Sequence, residues 1–120
     1  MADLGDAVWE LYVRRSLLAG GYAKLADLHR RAVGTVQAAA QAVALSAIEP
    51  LLTAEEKEVV RRGRNAKTHA PRGVDPLDYR YSTAFECLLG YLYYTGQAGR
   101  LEEVLQLAEE ALAEADAGAG

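Results

Sequence analysis

Apolar residues recur at helical spacing along nearly the whole chain, and nowhere does a β-branched run alternate apolar with polar at period two. A half-buried strand needs that alternation, because successive side chains point to opposite faces of a sheet. A helix needs apolar positions three and four apart. The chain is therefore expected to be all-α. Phe85, Leu88, Leu89 and Leu92 form one stripe at i, i+3, i+4 and i+7, and Leu101, Val104, Leu105, Ala108 and Leu112 form another. Both stripes mark core helices.

Start and stop signals set the boundaries. A first helix over residues 4–18 is stopped by Ala19-Gly20-Gly21. Asp27 can cap an Ala-rich second stretch, with Gly34 as a possible break, that runs to Ile48 and ends at Glu49-Pro50. Thr53-Ala54-Glu55-Glu56 is a capping box, a hydroxyl at the cap and a glutamate three later, so a third helix runs from there to Arg62 with Gly63 as its stop. Residues 63–74 are a polar loop with Pro71 and Gly73. Asp75-Pro76 then reads as a cap followed by proline at the first helical position, opening a helix to Tyr94. Gly96 and Gly99 bound a turn, a last helix covers 100–115, and the tail 117–120 is expected to fray. At 120 residues without a repeat of 20 to 50, residues 1–120 are expected to form one domain and no helical-repeat array.

Cys87 is the only cysteine and has only His29 and His69 beside it as further soft ligands, so neither an internal disulfide nor a zinc spacing is present. Cys87 is read as a small packed residue. No apolar run reaches the roughly 18 residues of a membrane span, and the first residues do not form a signal peptide, which makes the cytoplasm the expected compartment. A net charge of −4 argues against a nucleic-acid partner until its distribution is considered. Arg61, Arg62, Arg64, Lys67, Arg72 and Arg80 face only Asp75 and Asp78 in their stretch, whereas residues 102–116 hold six acids and no base. The first region could meet RNA; the second is a solvated acidic helix.

Two segments carry a family resemblance. Leu4-Gly5-Asp6-Ala7-Val8-Trp9-Glu10 resembles the signature helix of ribonuclease III enzymes, and Phe85-Glu86-Cys87-Leu88-Leu89-Gly90-Tyr91-Leu92-Tyr93 resembles their second acidic helix. Arg62-Gly63-Arg64-Asn65-Ala66-Lys67, Tyr79-Arg80-Tyr81-Ser82-Thr83 and Leu28-His29-Arg30-Arg31-Ala32 look like the Mini-ribonuclease III branch, as does the lack of a double-stranded RNA-binding domain. The resemblance implies an all-α ribonuclease III endonuclease fold. It also implies catalysis and Mg²⁺ ligation by Asp6 and Glu86, the cation activating water and stabilising the leaving oxygen of a phosphodiester. Mg²⁺ is a hard cation that takes oxygen ligands and typically needs only one or two from protein. The implied function is cleavage of double-stranded RNA by a homodimer, leaving 5′-phosphate and 3′-hydroxyl ends, with trimming of ribosomal RNA precursors as the usual role.

The match has departures. Where classical relatives carry further acids, four residues before Asp6 and three before Glu86, this chain has Ala2 and Thr83; where they place a dimer-contact aromatic it has Asp3. A reduced acid set leaves a rival reading, a non-catalytic helical dimerisation or RNA-binding module.

Without the resemblance, Asp6 is a first-turn acid favoured by the helix dipole and Glu86 an exposed helix acid. Gly90, one turn after Glu86, is unfavourable in a helix by about 1 kcal/mol relative to alanine, so metal, RNA or a packed helix should approach there. Glu10 is expected to pair with Arg14 at i+4 rather than with Asp6. Arg61 and Arg62 close the third helix as the dipole prefers, while Arg64, Asn65 and Lys67, placed past its stop, are the expected RNA contacts. The tyrosines from Tyr79 to Tyr94 are read as core and interface rather than as base-stacking platforms.

Overall fold

A computed structural model describes the backbone of residues 1–20 and 34–119 and the side chains of 1–19 and 36–115. The expected cap at Asp27 and the segment 28–32 lie outside the described residues. Among those described there are five α-helices and no strand: α1 (Ala2–Gly20), α2 (Gly34–Ile48), α3 (Ala54–Asn65), α4 (Pro76–Tyr94) and α5 (Ala98–Ala119), with a 3₁₀ turn at Glu49–Leu51 between α2 and α3. The fold is all-α, and α5 continues past its expected end.

The caps form as the sequence dictates. The Thr53 hydroxyl accepts from the Glu56 backbone N–H at 3.2 Å while Glu56 Oε1 accepts from the Thr53 N–H at 2.9 Å. Asp75 Oδ1 accepts from the backbone N–H groups of Leu77 and Asp78 at 2.8 and 3.2 Å, satisfying two donors that the helix itself cannot.

Helix α4 is the hub, packing against α1, α2, α3 and α5. Its stripe of Phe85, Leu88, Leu89 and Leu92 is wholly removed from solvent, and the α5 stripe of Leu101, Val104, Leu105, Ala108 and Leu112 is buried as well. Each large apolar side chain buried in this way contributes about 1.5–3 kcal/mol. From α1, Trp9 meets the Phe85 ring edge-on, centroids 5.3 Å apart at 82°, an arrangement the ring quadrupoles favour.

Glu56 does more than cap. It is buried, and Arg100 at the start of α5 grips it with both arms of the guanidinium, Nε to Oε2 and a terminal nitrogen to Oε1, each at 2.8 Å. The same guanidinium donates to the Leu51 carbonyl at 3.1 Å. This arginine clamp ties the starts of α3 and α5 to the 3₁₀ turn, and the hydrogen bonds from Arg100 hold the Glu56 carboxyl below the ordinary range.

Gly63 does not stop α3. It lies inside the helix and is buried, because a Cβ there would stand 2.9 Å from Ala84 Cα and 3.2 Å from Cys87. A glycine mid-helix is usually a weakness; here it lets α3 approach α4. Cys87 packs in that crossing as a free thiol whose pKa is raised by burial. The tyrosines divide: Tyr81 and Tyr91 pack on the core, whereas Tyr93 and Tyr94 stand exposed at the end of α4.

Candidate active site

Helices α1 and α4 meet at two glycines. A Cβ on Gly5 would fall 1.7 Å from the Glu86 carbonyl oxygen, and one on Gly90 would fall 2.2 Å from the Met1 carbonyl oxygen and 3.1 Å from the Gly5 nitrogen. The close approach expected at Gly90 is thus the first turn of α1. Because Asp6 follows Gly5, and Gly5 sits directly on the Glu86 backbone, this crossing puts the two carboxylates side by side, within hydrogen-bonding reach.

The electrostatics of the pair are unfavourable. Asp6 is exposed and Glu86 half-buried. Burial first, and then the hydrogen bond and negative charge of Asp6, push the Glu86 carboxyl up to about 8, with Asp3 adding a further negative charge. Opposing this, the amide of Gln41 on α2 favours the charged form. Gln37, one turn earlier, reaches Asp6 Oδ1 with its Nε2 at a long 3.4 Å.

Gln41 is fully buried. Its Oε1 accepts from the Ser82 hydroxyl of α4 at 2.5 Å, while its Nε2 lies toward Glu86 without closing a hydrogen bond of good geometry. Thr83, where classical relatives carry an acid, is buried.

Two carboxylates facing each other beside an unspent amide donor suit a hard cation, which would relieve the repulsion that raises the Glu86 pKa. Among the described residues no group of three or more His, Cys, Asp and Glu could hold a metal, so protein ligation at this site is a matter of the pair. Octahedral Mg²⁺ is compatible with so few protein oxygens, since it keeps several waters.

The structure brings together Asp6 and Glu86 and leaves the other expected site residues apart from them. Arg64 and Asn65 close α3, and Lys67 follows in the exposed stretch 66–75. Arg64 is not past a helix stop. It is half-buried, pairs with Glu49 at 3.6 Å and lies 5.9 Å from the Tyr81 ring centroid, so its charge already has partners. Lys67 has no ion pair among the described residues. Glu10 pairs with Arg14 at 3.0 Å and not with Asp6, and Arg61 and Arg62 both bond Glu58.

Asp3, Gln37, Gln41 and Ser82 were not expected at the site. Two signals could have found three of them. Asp3 and Ser82 stand three and four residues before Asp6 and Glu86, on the same helix faces, and Gln41 is the single polar residue in the run 38–45 of α2.

Comparison with known proteins bears on the family and the fold. A family model described as Ribonuclease III domain matches residues 1–97. A Mini-ribonuclease 3 of Symbiobacterium thermophilum is 56% identical over 111 residues, covering 92% of this chain and 85% of that protein. A Mini-ribonuclease 3 of Thermoanaerobacter is 44% identical over 115 residues, covering 95% and 81%. Among solved structures, a crystal structure of a protein from Fusobacterium nucleatum superposes with a TM-score of 0.75 at 29% identity, covering 91% of this chain and 88% of that one.

Proposed function

This chain belongs to the ribonuclease III family and is an endoribonuclease of the Mini-ribonuclease III kind; from that premise we propose that it cleaves double-stranded RNA using Mg²⁺ held between Asp6 and Glu86. The observation that carries the proposal is the carboxylate pair at the glycine crossing, whose ionisation burial and like charge oppose and which a divalent cation would neutralise. When bound, the cation supplies Lewis acidity toward a phosphodiester oxygen and water.

The division of labour follows from placement. Glu86, fixed on the hub helix and half-buried, sets where the cation sits. Asp6, exposed one residue beyond the crossing, presents the second carboxylate toward solvent and so toward substrate. Gly5 and Gly90 hold the two helices at the separation this needs.

Duplex RNA displays phosphates and 2′-hydroxyls rather than readable base edges, so recognition would be by shape and charge. Exposed Lys67 and Asn65 are the phosphate contacts we favour, with Arg64 behind them steadying the end of α3 through Glu49 and Tyr81. Leu11 and Leu18 on α1, and Val36 and Val43 on α2, are exposed and spaced two turns apart, as a helix face awaiting a partner would be. They support a homodimer, in which a two-fold axis would offer both strands of one duplex an equivalent site. We place the chain's action in ribosomal RNA precursor maturation in the cytoplasm, with residues 1–120 as a single catalytic domain; no helix among the described residues is long and apolar enough to cross a membrane.

The test is Mg²⁺-dependent cleavage of a long RNA duplex by the wild type, Asp6→Asn and Glu86→Gln. Each substitution is expected to abolish cleavage with helical content unchanged, because a neutral amide is a poor Mg²⁺ ligand. Either variant turning over near the wild-type rate would remove that residue from the site.

A further inference from the structure

The amide of Gln41 is the feature the carboxylate pair does not account for. Buried amides are normally satisfied at both ends, since an unpaired donor away from water is unfavourable. Here one end is engaged and the other is not: Ser82 fixes Oε1 from α4, which leaves Nε2, with two N–H groups, unspent. With the Ser82 hydroxyl donating to Oε1, Nε2 is the end of Gln41 that looks the other way. That end faces Glu86, one helical turn after Ser82 on the same face of α4. In a run of α2 otherwise made of Ala38, Ala39, Ala40, Ala42, Val43, Ala44 and Leu45, an apolar side chain would fill the space with no orphaned donor.

Resting on the two-carboxylate reading, we propose that Gln41 is a positioning residue that holds the Glu86 carboxylate in its ligating orientation through Nε2–H, with Ser82 engaging Oε1 on the opposite side of the amide. The Nε2 donor would be satisfied by the Glu86 carboxylate when that acid serves as a ligand. Asp6 and Glu86 supply ligands from two helices; Gln41 brings in a third helix, α2, to fix the geometry that a missing third and fourth acid would otherwise fix. Groups that orient ligands in this way typically change metal affinity or activity by about 10- to 100-fold when removed.

The experiment uses Gln41→Met, which keeps length and apolar volume but has no donor, with Ser82→Ala as a second variant that leaves Gln41 in place and frees it to turn. Binding of Mn²⁺ is read by electron paramagnetic resonance of the free ion, without RNA, beside thermal unfolding without metal and kcat and KM for duplex cleavage with Mg²⁺. We expect Gln41→Met to unfold near the wild-type temperature without metal, since it removes the unsatisfied Nε2 donor while taking the acceptor from Ser82, yet to bind Mn²⁺ about 10-fold or more weakly and to lose kcat with little change in KM. Ser82→Ala should show the same pattern, more weakly. Unchanged Mn²⁺ affinity and kcat in a folded Gln41→Met protein overturn the proposal. So does an unfolded Gln41→Met protein accompanied by a folded Ser82→Ala protein with wild-type binding. Asp6→Asn measured in parallel separates the two claims: if it too binds Mn²⁺ normally, the carboxylate reading fails, and if it alone loses binding, only the role of Gln41 does.

Discussion

Replacing Gly5 by alanine would act on the acid pair without touching either acid. The added Cβ would lie 1.7 Å from the Glu86 carbonyl oxygen and 2.4 Å from its carbon, against 3.4 Å for ordinary contact, so α1 and α4 must separate by about 1.7 Å. Nothing nearby can yield instead, because the obstacle is backbone of the hub helix. Alanine favours a helix over glycine by about 1 kcal/mol. Overpacking opposes this by about 1–3 kcal/mol, and a backbone collision belongs at or beyond the upper end. The net loss is about 2 kcal/mol, or a melting temperature lower by about 8 °C for a chain of this size. Function should fall further than stability does, since a displacement of about 1 Å at reacting groups can cost about 100-fold in rate. Calorimetry and duplex cleavage at saturating Mg²⁺ and RNA, both well below the melting temperature, give the two numbers. Gly99→Ala is the control, because a Cβ there meets nothing within 4 Å. If Gly5→Ala matches Gly99→Ala in melting temperature and turnover, the crossing does not set the acid pair.

The raised carboxyl of Glu86 gives a stability term that is complete below its unfolded pKa near 4.5 and lost as pH rises through about 8, because the folded state holds a proton the unfolded state releases. Without divalent cations the melting temperature of the wild type should therefore decline between pH 5 and 8 relative to that of Glu86→Gln, and Mg²⁺ should reverse the decline with proton release; parallel pH profiles would refute this. Neutralising Lys67 should weaken RNA binding equally for different duplex sequences and flatten its salt dependence by about one unit of log–log slope, with kcat nearly intact. Arg64→Ala should in addition lower the melting temperature through the lost contacts with Glu49 and Tyr81. Unchanged affinity and salt slope for Lys67→Ala would exclude the contact. Sedimentation at micromolar concentration should show a dimer without RNA that Leu18→Glu converts to monomer, and a monomeric wild type would contradict the exposed faces of α1 and α2 as an interface.

Local chemistry made most of the fold legible. Thr53, Asp75 and Pro76 mark helix starts by hydrogen bonds made within three residues, and the stripes on α4 and α5 need only periodicity to be read as buried. Gly63 was misread for a related reason. Sequence treats a glycine after an arginine pair as a stop, but its use here is tertiary, the approach of α3 to Ala84 and Cys87, and no pattern within α3 announces that partner. Arg64 followed it into error: with α3 continued to Asn65, its side chain meets Glu49 from the 3₁₀ turn and Tyr81 from α4. For the site, Asp6 and Glu86 were legible through the family motifs alone, since as isolated helix acids they have ordinary explanations. Gln41 was invisible because an amide on a small-residue helix has meaning only once Ser82 and Glu86 lie against it.

Two glutamates, the buried Glu56 and the half-buried Glu86, show why the assignment of chemistry to Glu86 does not rest on resemblance alone. Glu56 is placed as folding would place any buried carboxylate: it accepts from the Thr53 backbone, both its oxygens are held by Arg100, and its pKa is lowered. Such a carboxylate is silent toward solutes, because its lone pairs and its charge are already engaged. Glu86 sits on the best-packed helix of the same protein and is given the reverse surroundings, another carboxylate at hydrogen-bonding distance and a third negative charge from Asp3. An arginine or lysine in place of Asp6 would have relieved it, and the exposed position of Asp6 would accommodate either. A fold that compensates one glutamate so fully leaves the other opposed by like charge, and on the two-carboxylate proposal that is where a divalent cation would be held. The compensated glutamate fastens α5 to α3; the one opposed by like charge is the ligand that the proposed chemistry requires.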